Sequence, residues 1–218
     1  MDYQINPSIL SANLAHLGQD VKSVITAGAD NIHFDVMDNH YVPNLTFGPM
    51  LLSALRKDGI TANVDVHLMV EPVDDLIKSF AKAGASSIVF HPEATKHLDR
   101  SLSLVHSFGI KAGVALNPAT DISVCNHVID KIDRILVMTV NPGFAGQRLI
   151  EGMYQKITQI SNWIESTKKD ILLEVDGGVS VENIAKLAQC GARAFVAGSA
   201  IFNQKDYKKA IDQMRLAL

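Results

Sequence analysis

The stretch Gly28-Ala29-Asp30-Asn31-Ile32-His33-Phe34-Asp35-Val36-Met37-Asp38 carries the plan of the chain in miniature. A glycine ends an amphipathic segment, a short β-branched apolar run follows, and polar residues stand at its far end. Gly just past a helix takes the left-handed conformation at little steric cost and turns the chain into a strand. The same punctuation returns at Gly84-Ala85 and Gly191-Ala192, and Gly109 does this ahead of Lys111. Reading the runs as strands predicts eight: Ile5–Leu10, Asn31–Val36, Val64–Met69, Ser87–Phe90, Lys111–Leu116, Arg134–Val140, Leu172–Asp176 and Ala194–Ala197. Their starts lie 22 to 38 residues apart, room each time for a strand, a helix and two loops. The intervening segments carry helical spacing, as in Leu76, Ile77, Phe80, Ala81 and in Leu98, Leu102, Leu104, Val105. Pro72, and Ser180 ahead of Val181-Glu182-Asn183, are helix-start signals.

Apolar strands alternating with helices mean an α/β protein whose parallel sheet is covered by helices. Eight such units in 218 residues, about 27 each, fit a single closed (β/α)8 TIM barrel over residues 1–218. The rival, an open doubly wound sheet, would place a glycine-rich turn after its first strand. Ser8-Ile9-Leu10-Ser11-Ala12-Asn13 has no glycine there. No linker or shift of composition marks a second domain.

Composition agrees with a folded globular chain: 47% hydrophobic, 20% charged, 14 Gly and 7 Pro. Twenty basic against 23 acidic residues, a formal charge of −3, build no basic stripe for nucleic acid or an anionic membrane. No apolar stretch approaches the 18 or so residues that span a bilayer. Met1-Asp2-Tyr3-Gln4-Ile5 has an early acid and no basic residue, unlike a secretory leader. Cys125 and Cys190 are far apart and form no CxxC, which excludes a disulfide scaffold and fits a reducing compartment. The expectation is a cytoplasmic protein.

Barrel enzymes place their chemistry at the C-terminal strand ends. His33 and Asp35 lie two apart on strand two and share a side; His67 and Met69 do so on strand three, and Asp176 ends strand seven. If those sides face the axis, His33, Asp35, His67 and Asp176 converge. Such a mixed set can hold one divalent cation, Zn²⁺, Fe²⁺, Mn²⁺ or Co²⁺. Any one of the four alone reads as a polar residue at a wet barrel mouth. Their matching positions on three strands favour the metal.

Glycines form the second cluster. Asn141-Pro142-Gly143-Phe144-Ala145-Gly146-Gln147 follows strand six, Gly177-Gly178 strand seven, and Gly198-Ser199-Ala200 strand eight. Backbone N–H groups exposed in such loops, with the start of a short extra helix, hold a phosphate without a lysine. Taken singly these glycines only permit turns; three adjacent loops point to a phosphorylated substrate. Met37, Met69 and Met138 are core filler by residue type, but at strand ends they would wall the pocket and exclude water. His91 ends strand four, either behind the metal site or on the surface. His16, His40, His97, His106 and His127 fall in loops or helical stretches, and Cys190 reads as packing. Asp65 and Glu174 point into the barrel below the metal layer with no partner legible in the sequence.

Six ordered motifs carry a resemblance that covers nearly the whole chain: Pro7-Ser8-Ile9-Leu10-Ser11, His33 to Asp38, Asp65-Val66-His67-Leu68-Met69, Asn141 to Gln147, Val175-Asp176-Gly177-Gly178, and Gly198-Ser199-Ala200-Ile201-Phe202. The chain resembles the ribulose-phosphate 3-epimerase family, barrels of the ribulose-phosphate binding type. The resemblance implies that His33, Asp35, His67 and Asp176 bind one metal ion per subunit. It implies Asp35 as proton acceptor and Asp176 as donor, exchanging roles in reverse. It implies substrate contacts at Ser8 and His67, and a phosphate end lined by Gly143, Phe144, Ala145, Gly146, Gly177, Gly178, Gly198 and Ser199. Asn39 and Ala145 depart from the commonest family wording, where glycine stands at both; neither is a ligand.

The implied activity interconverts D-ribulose 5-phosphate and D-xylulose 5-phosphate, a step of the pentose phosphate pathway. Inverting C3 takes a proton off one face and delivers one to the other, hence two acid/base groups. The proton is α to a ketone, and a cation would spread the charge of the resulting enediolate. The alternatives are 3-epimerisation of a hexulose phosphate such as D-allulose 6-phosphate, and a non-catalytic sugar-phosphate-binding barrel. A Schiff-base aldolase is disfavoured because no lysine stands at a strand's C-terminal end. Tyr41-Val42-Pro43-Asn44-Leu45-Thr46-Phe47 reads as an active-site loop or a subunit contact, and a homo-oligomer is expected.

Overall fold

The computed structural model describes residues 3–218; Met1 and Asp2, where the reading of the leader begins, lie outside them. Eight parallel strands run β1 Gln4–Pro7, β2 Ile32–Met37, β3 Val64–Met69, β4 Ser87–Phe90, β5 Lys111–Leu116, β6 Arg134–Met138, β7 Leu172–Asp176 and β8 Ala194–Ala197. They hydrogen-bond in the order β1-β8-β7-β6-β5-β4-β3-β2. A lone parallel bridge from Ser8 to His33 joins β1 to β2 and brings the ends of that sheet together. Five of the eight predicted strands match to the residue. The first and sixth are shorter than expected. Ser8 caps a 3-10 turn at Ile9–Ser11, its hydroxyl accepting from Leu10 N, and Thr139 leaves the ladder to brace the loop beyond.

Around the strands pack α1 Leu17–Thr26, α2 Pro49–Lys57, α3 Asp74–Ala83, α4 Leu98–His106, α5 Met153–Thr167, α6 Ile184–Gln189, α7 Ser199–Phe202 and α8 Tyr207–Ala217. The expected helix between β5 and β6 is absent. Two 3-10 turns, Ile122–Cys125 and Ile129–Lys131, replace it. The segment is poor in strong helix formers, and Asp121 takes the amide of Ser123 for its own turn. The ammonium of Lys156 on α5 then pins the loop by donating to the carbonyls of Asn117, Pro118 and Thr120.

Two apolar regions result. The larger lies between sheet and helices, with Phe34, Phe80, Phe90 and Phe195 wholly buried. A smaller one, Val89, Ala115, Leu136, Met138, Val140 and Val196, fills half of the barrel interior. The other half, on β1, β2, β3 and β7, is polar: Asn6, His33, Asp35, Asp65, His67 and Glu174 are buried there. Register explains the sorting. His33 stands beside Asp65, Asp35 beside His67, and Met37 beside Met69, so each inward layer alternates down two neighbouring strands.

Candidate active site

The floor of the barrel accounts for the two carboxylates whose partners the sequence left open. The Arg134 guanidinium, reaching in from β6, pairs with Asp65 and with Glu174 Oε2 at 3.0 Å. Gly113, opposite Arg134 in the ladder, makes the room: a Cβ there would meet the Arg134 carbonyl oxygen at 2.8 Å. Ser87 donates to Asp65 at 2.6 Å and Asn6 to Glu174 at 2.7 Å, while Asn31 donates to Asn6 at 3.0 Å. Each carboxylate oxygen of the pair is thus met by a donor. Burial pushes the Glu174 carboxyl up to about 7 in spite of Arg134, whereas Arg134 overcomes burial at Asp65 and holds it below the usual range.

One layer above, His33, Asp35, His67 and Asp176 each offer a ligand atom within 4.8 Å of one another. His33 Nε2 lies 3.3 Å from Asp35 Oδ1 and 4.0 Å from Asp176 Oδ2. His67 Nδ1 lies 3.1 Å from Asp35 Oδ1 and 3.9 Å from Asp176 Oδ2. No lysine or arginine lines this cup. Both ring nitrogens of the fully buried His33 lack a hydrogen-bond partner, which is unusual for a buried imidazole. Four donors of the right chemistry, two carboxyl groups and two imidazoles, one of the rings without a hydrogen-bond partner, fit a divalent cation. A second group, His33 with Asp65 and Glu174, also has ligand spacing, but Arg134 already occupies its carboxylates.

The two upper carboxyls titrate apart. Burial raises Asp35, but His33 and His67 outweigh it and hold that group far below the usual range. Asp176 is pushed up to about 8, first by burial and then by the neighbouring Asp35 charge. Burial would lower His33, yet the carboxylates of Asp35, Asp65 and Asp176 leave it well above an ordinary histidine. At His67 burial prevails and the ring stays below. One carboxylate is therefore poised to take a proton and the other to hold one.

Several neighbours set these positions. Ser8 donates to Asp35 Oδ2 at 2.5 Å, so the hydroxyl expected to touch substrate also holds that carboxylate. Thr46, within the loop read as lid or subunit contact, donates to the Asp35 carbonyl at 2.9 Å and accepts from Met37 N. Thr139 donates to the carbonyls of Asp176 and Gly177. Asn44 donates to the Gly143 carbonyl at 2.8 Å and ties the loop after β2 to the loop after β6. Sequence reading passed over Thr46, Thr139 and Asn44, because a residue that acts through backbone contacts leaves no motif.

The cup is lined by Ser8, Asp35, Asp176, the three methionines and the glycine loops. Met37, Met69 and Met138 are all buried there. Gly143, Phe144, Ala145, Gly146, Gly177, Gly178, Gly198 and Ser199 come together on its wall, with Ser199 opening α7. Gly178 has φ +67, and a Cβ on it would sit 2.5 Å from Leu149 N, so glycine is required. Phe144 stays 55% exposed at the rim. Asn39, one of the two departures from the family wording, has φ +57, a conformation glycine adopts freely and Asn tolerates. His91 is wholly buried against His67 rather than on the surface. His40, by contrast, is exposed, and the Cys125 thiol is buried and pushed up to about 12, an inert group.

Among known proteins, residues 4–202 match the model of the ribulose-phosphate 3 epimerase family. The chain is 58% identical over 216 residues to ribulose-phosphate 3-epimerase of Escherichia coli K12, covering 99% of this chain and 96% of that one. It is 59% identical over 207 residues to the enzyme of that name from Serratia marcescens, 95% of this chain and 99% of that one. Among solved structures, KGPDC from Streptococcus mutans, in complex with a sugar phosphate, superposes with a TM-score of 0.76 over 99% of this chain and 96% of that one. At 17% identity that likeness speaks for the barrel alone.

Proposed function

We propose, from the premise that this chain belongs to the ribulose-phosphate 3-epimerase family, that it interconverts D-ribulose 5-phosphate and D-xylulose 5-phosphate. It is an epimerase acting on a carbohydrate, and Asp35 and Asp176 carry the reaction. The observation behind this is the pair itself: two carboxyls brought to one cup from β2 and β7, each with an oxygen within 4.0 Å of both His33 and His67. Asp35 accepts the C3 proton from one face of the sugar, and Asp176 delivers one to the other face. Their protonation states are then exchanged, which readies the site for the reverse reaction.

His33, Asp35, His67 and Asp176 would hold one divalent cation, Zn²⁺, Fe²⁺, Mn²⁺ or Co²⁺. When bound, it supplies positive charge beside the oxygens of the enediolate. Met37, Met69 and Met138 keep water from the carbanionic carbon. The phosphate sits on backbone N–H groups of the three glycine-bearing loops, so no lysine is needed in the cup. Hexulose-phosphate epimerisation is not favoured, since the curated relatives bear the pentulose enzyme's name. The cytoplasm and a homo-oligomer complete the reading. Among the described residues no helix is long and apolar enough to cross a membrane, and Leu45 and Met50 leave apolar surface free for a subunit contact.

The test is incubation of metal-stripped protein with D-ribulose 5-phosphate in D₂O, each cation restored in turn. Deuterium at C3 together with formation of xylulose 5-phosphate is expected with at least one of them. No exchange with any cation would overturn the proposal.

A further inference from the structure

His33 and His67 are backed by different chemistry. His33 Nδ1 faces the Asp65 carboxylate at 3.5 Å, with Arg134 behind it. His67 has no carboxylate on its far side. Its Nε2 lies 2.9 Å from Nε2 of His91, at the C-terminal end of β4. Tyr41 stacks over the His91 ring at 4.9 Å between centroids, tilted by 30°, and its hydroxyl accepts from Asn117 Nδ2 at 2.8 Å. His91 is thus clamped between a ligand of the cation site and an anchored aromatic ring, in full burial.

Two nitrogens at that separation share one hydrogen. If His67 carries it on Nε2, its Nδ1 keeps a lone pair toward Asp35, Asp176 and the cation site. If His91 carries it, His67 is protonated on Nδ1, donates to Asp35 Oδ1, and has no lone pair to offer on that side. We propose that His91 is a positioning residue: it accepts from His67 Nε2–H and thereby fixes the tautomer in which Nδ1 binds the cation. The inference rests on the cation-site reading above. A neutral imidazole fixes the ligand's orientation without adding a third negative charge to the two carboxylates of the cup. The arrangement has a visible cost. His91 must then carry its own proton on Nδ1, which is buried with the Ala115 backbone nearby but outside good hydrogen-bond geometry.

Long-range ¹H–¹⁵N spectra of histidine-labelled wild-type protein loaded with Zn²⁺ read the tautomer directly. His67 protonated on Nε2 is expected; His67 protonated on Nδ1 overturns the inference. Competition with a chelator for Co²⁺, followed by the cobalt absorption bands, gives the second readout. His91→Phe keeps the ring but removes the acceptor and should weaken Co²⁺ binding about 10- to 100-fold, with altered bands. His91→Gln restores an acceptor and should return both toward wild type. Wild-type affinity in His91→Phe overturns the role of His91 alone. A wild-type protein that takes up no cation overturns the cation site and this inference together. Should His91→Phe fail to fold, the spectrum of cation-free wild-type protein decides: His67 protonated on Nε2 before any ion is added supports the inference, and protonation on Nδ1 overturns it.

Discussion

At the floor of the barrel Asp65 and Glu174 share the guanidinium of Arg134, while one layer above Asp35 and Asp176 face two imidazoles and no lysine or arginine. Each layer holds two carboxyl groups on neighbouring parts of the same polar half, all buried except the partly exposed Asp176. The floor carries its cation in the sequence, and the carboxylate oxygens Arg134 leaves free accept from Ser87 and Asn6. The cup leaves His33 without hydrogen bonds and splits its carboxyls into one acid and one base. A closed charge network serves structure, and an open one of the same residue types serves chemistry.

The sharpest way to break this contrast is to exchange carboxyls for amides in each layer. Asp35→Asn and Asp176→Asn should each lower kcat/KM by about 10⁴-fold or more, beyond the usual range for one acid/base group because each is also a cation ligand. Circular dichroism and the melting temperature should change little. Near-normal turnover in either pure variant would sink the assignment. Arg134→Met should do the reverse, leaving two buried carboxylates unpaired and costing about 3–5 kcal/mol in urea unfolding. If Arg134→Met were as stable as wild type, the floor would not be the closed network described.

Removing the cation should strip activity at a smaller cost in stability. With the ion at 100 times its Kd the holoprotein gains about 2.7 kcal/mol, and the melting temperature should fall on chelation and recover with added cation. The gentlest probe is pH. In cation-free protein Asp176 keeps its proton up to about 8, whereas the unfolded chain loses it near 4. Between those values the folded state binds more protons, so stability falls as pH rises through the window and levels off above it. Glu174, raised to about 7, adds a slope of the same sign with or without the cation. The slope should therefore flatten on loading but not vanish, as urea titrations at several pH values would show.

Much of this was legible in the residues alone. Strands β4, β5 and β8 follow from apolar runs behind glycine stops and β3 and β7 from their apolar runs alone, and the two-residue spacing of His33 and Asp35 puts them on one inward face. What the chain did not disclose is contact across sequence distance. Arg134 opens a strand like any basic residue, and only the barrel's closure carries its guanidinium to Asp65, 69 residues away. His91 looked equally suited to the surface until β4 was set beside β3 with His67 facing it. The missing helix between β5 and β6 has the opposite cause: spacing allowed a helix, and local capping by Asp121 with the grip of Lys156 decided otherwise.

The seam between β1 and β2 has a consequence for biosynthesis. The only strand laddered along β1 is β8, Gln4 opposite Ala194 and Pro7 opposite Ala197. A ribosome adding roughly 5–20 residues per second holds β1 unpaired for roughly 10 to 40 s before its partner strand exists. Arg215 near the far end then locks the joint, donating to the Gly28 carbonyl at 2.6 Å and to Asp30, which itself accepts from Ile5 N. Ser8, just past β1, donates its amide to the Ala197 carbonyl of the late-arriving β8 and its hydroxyl to Asp35. The backbone of the residue that holds Asp35 is therefore fixed on both sides, by His33 on β2 and by Ala197 on β8, only once the ring has shut.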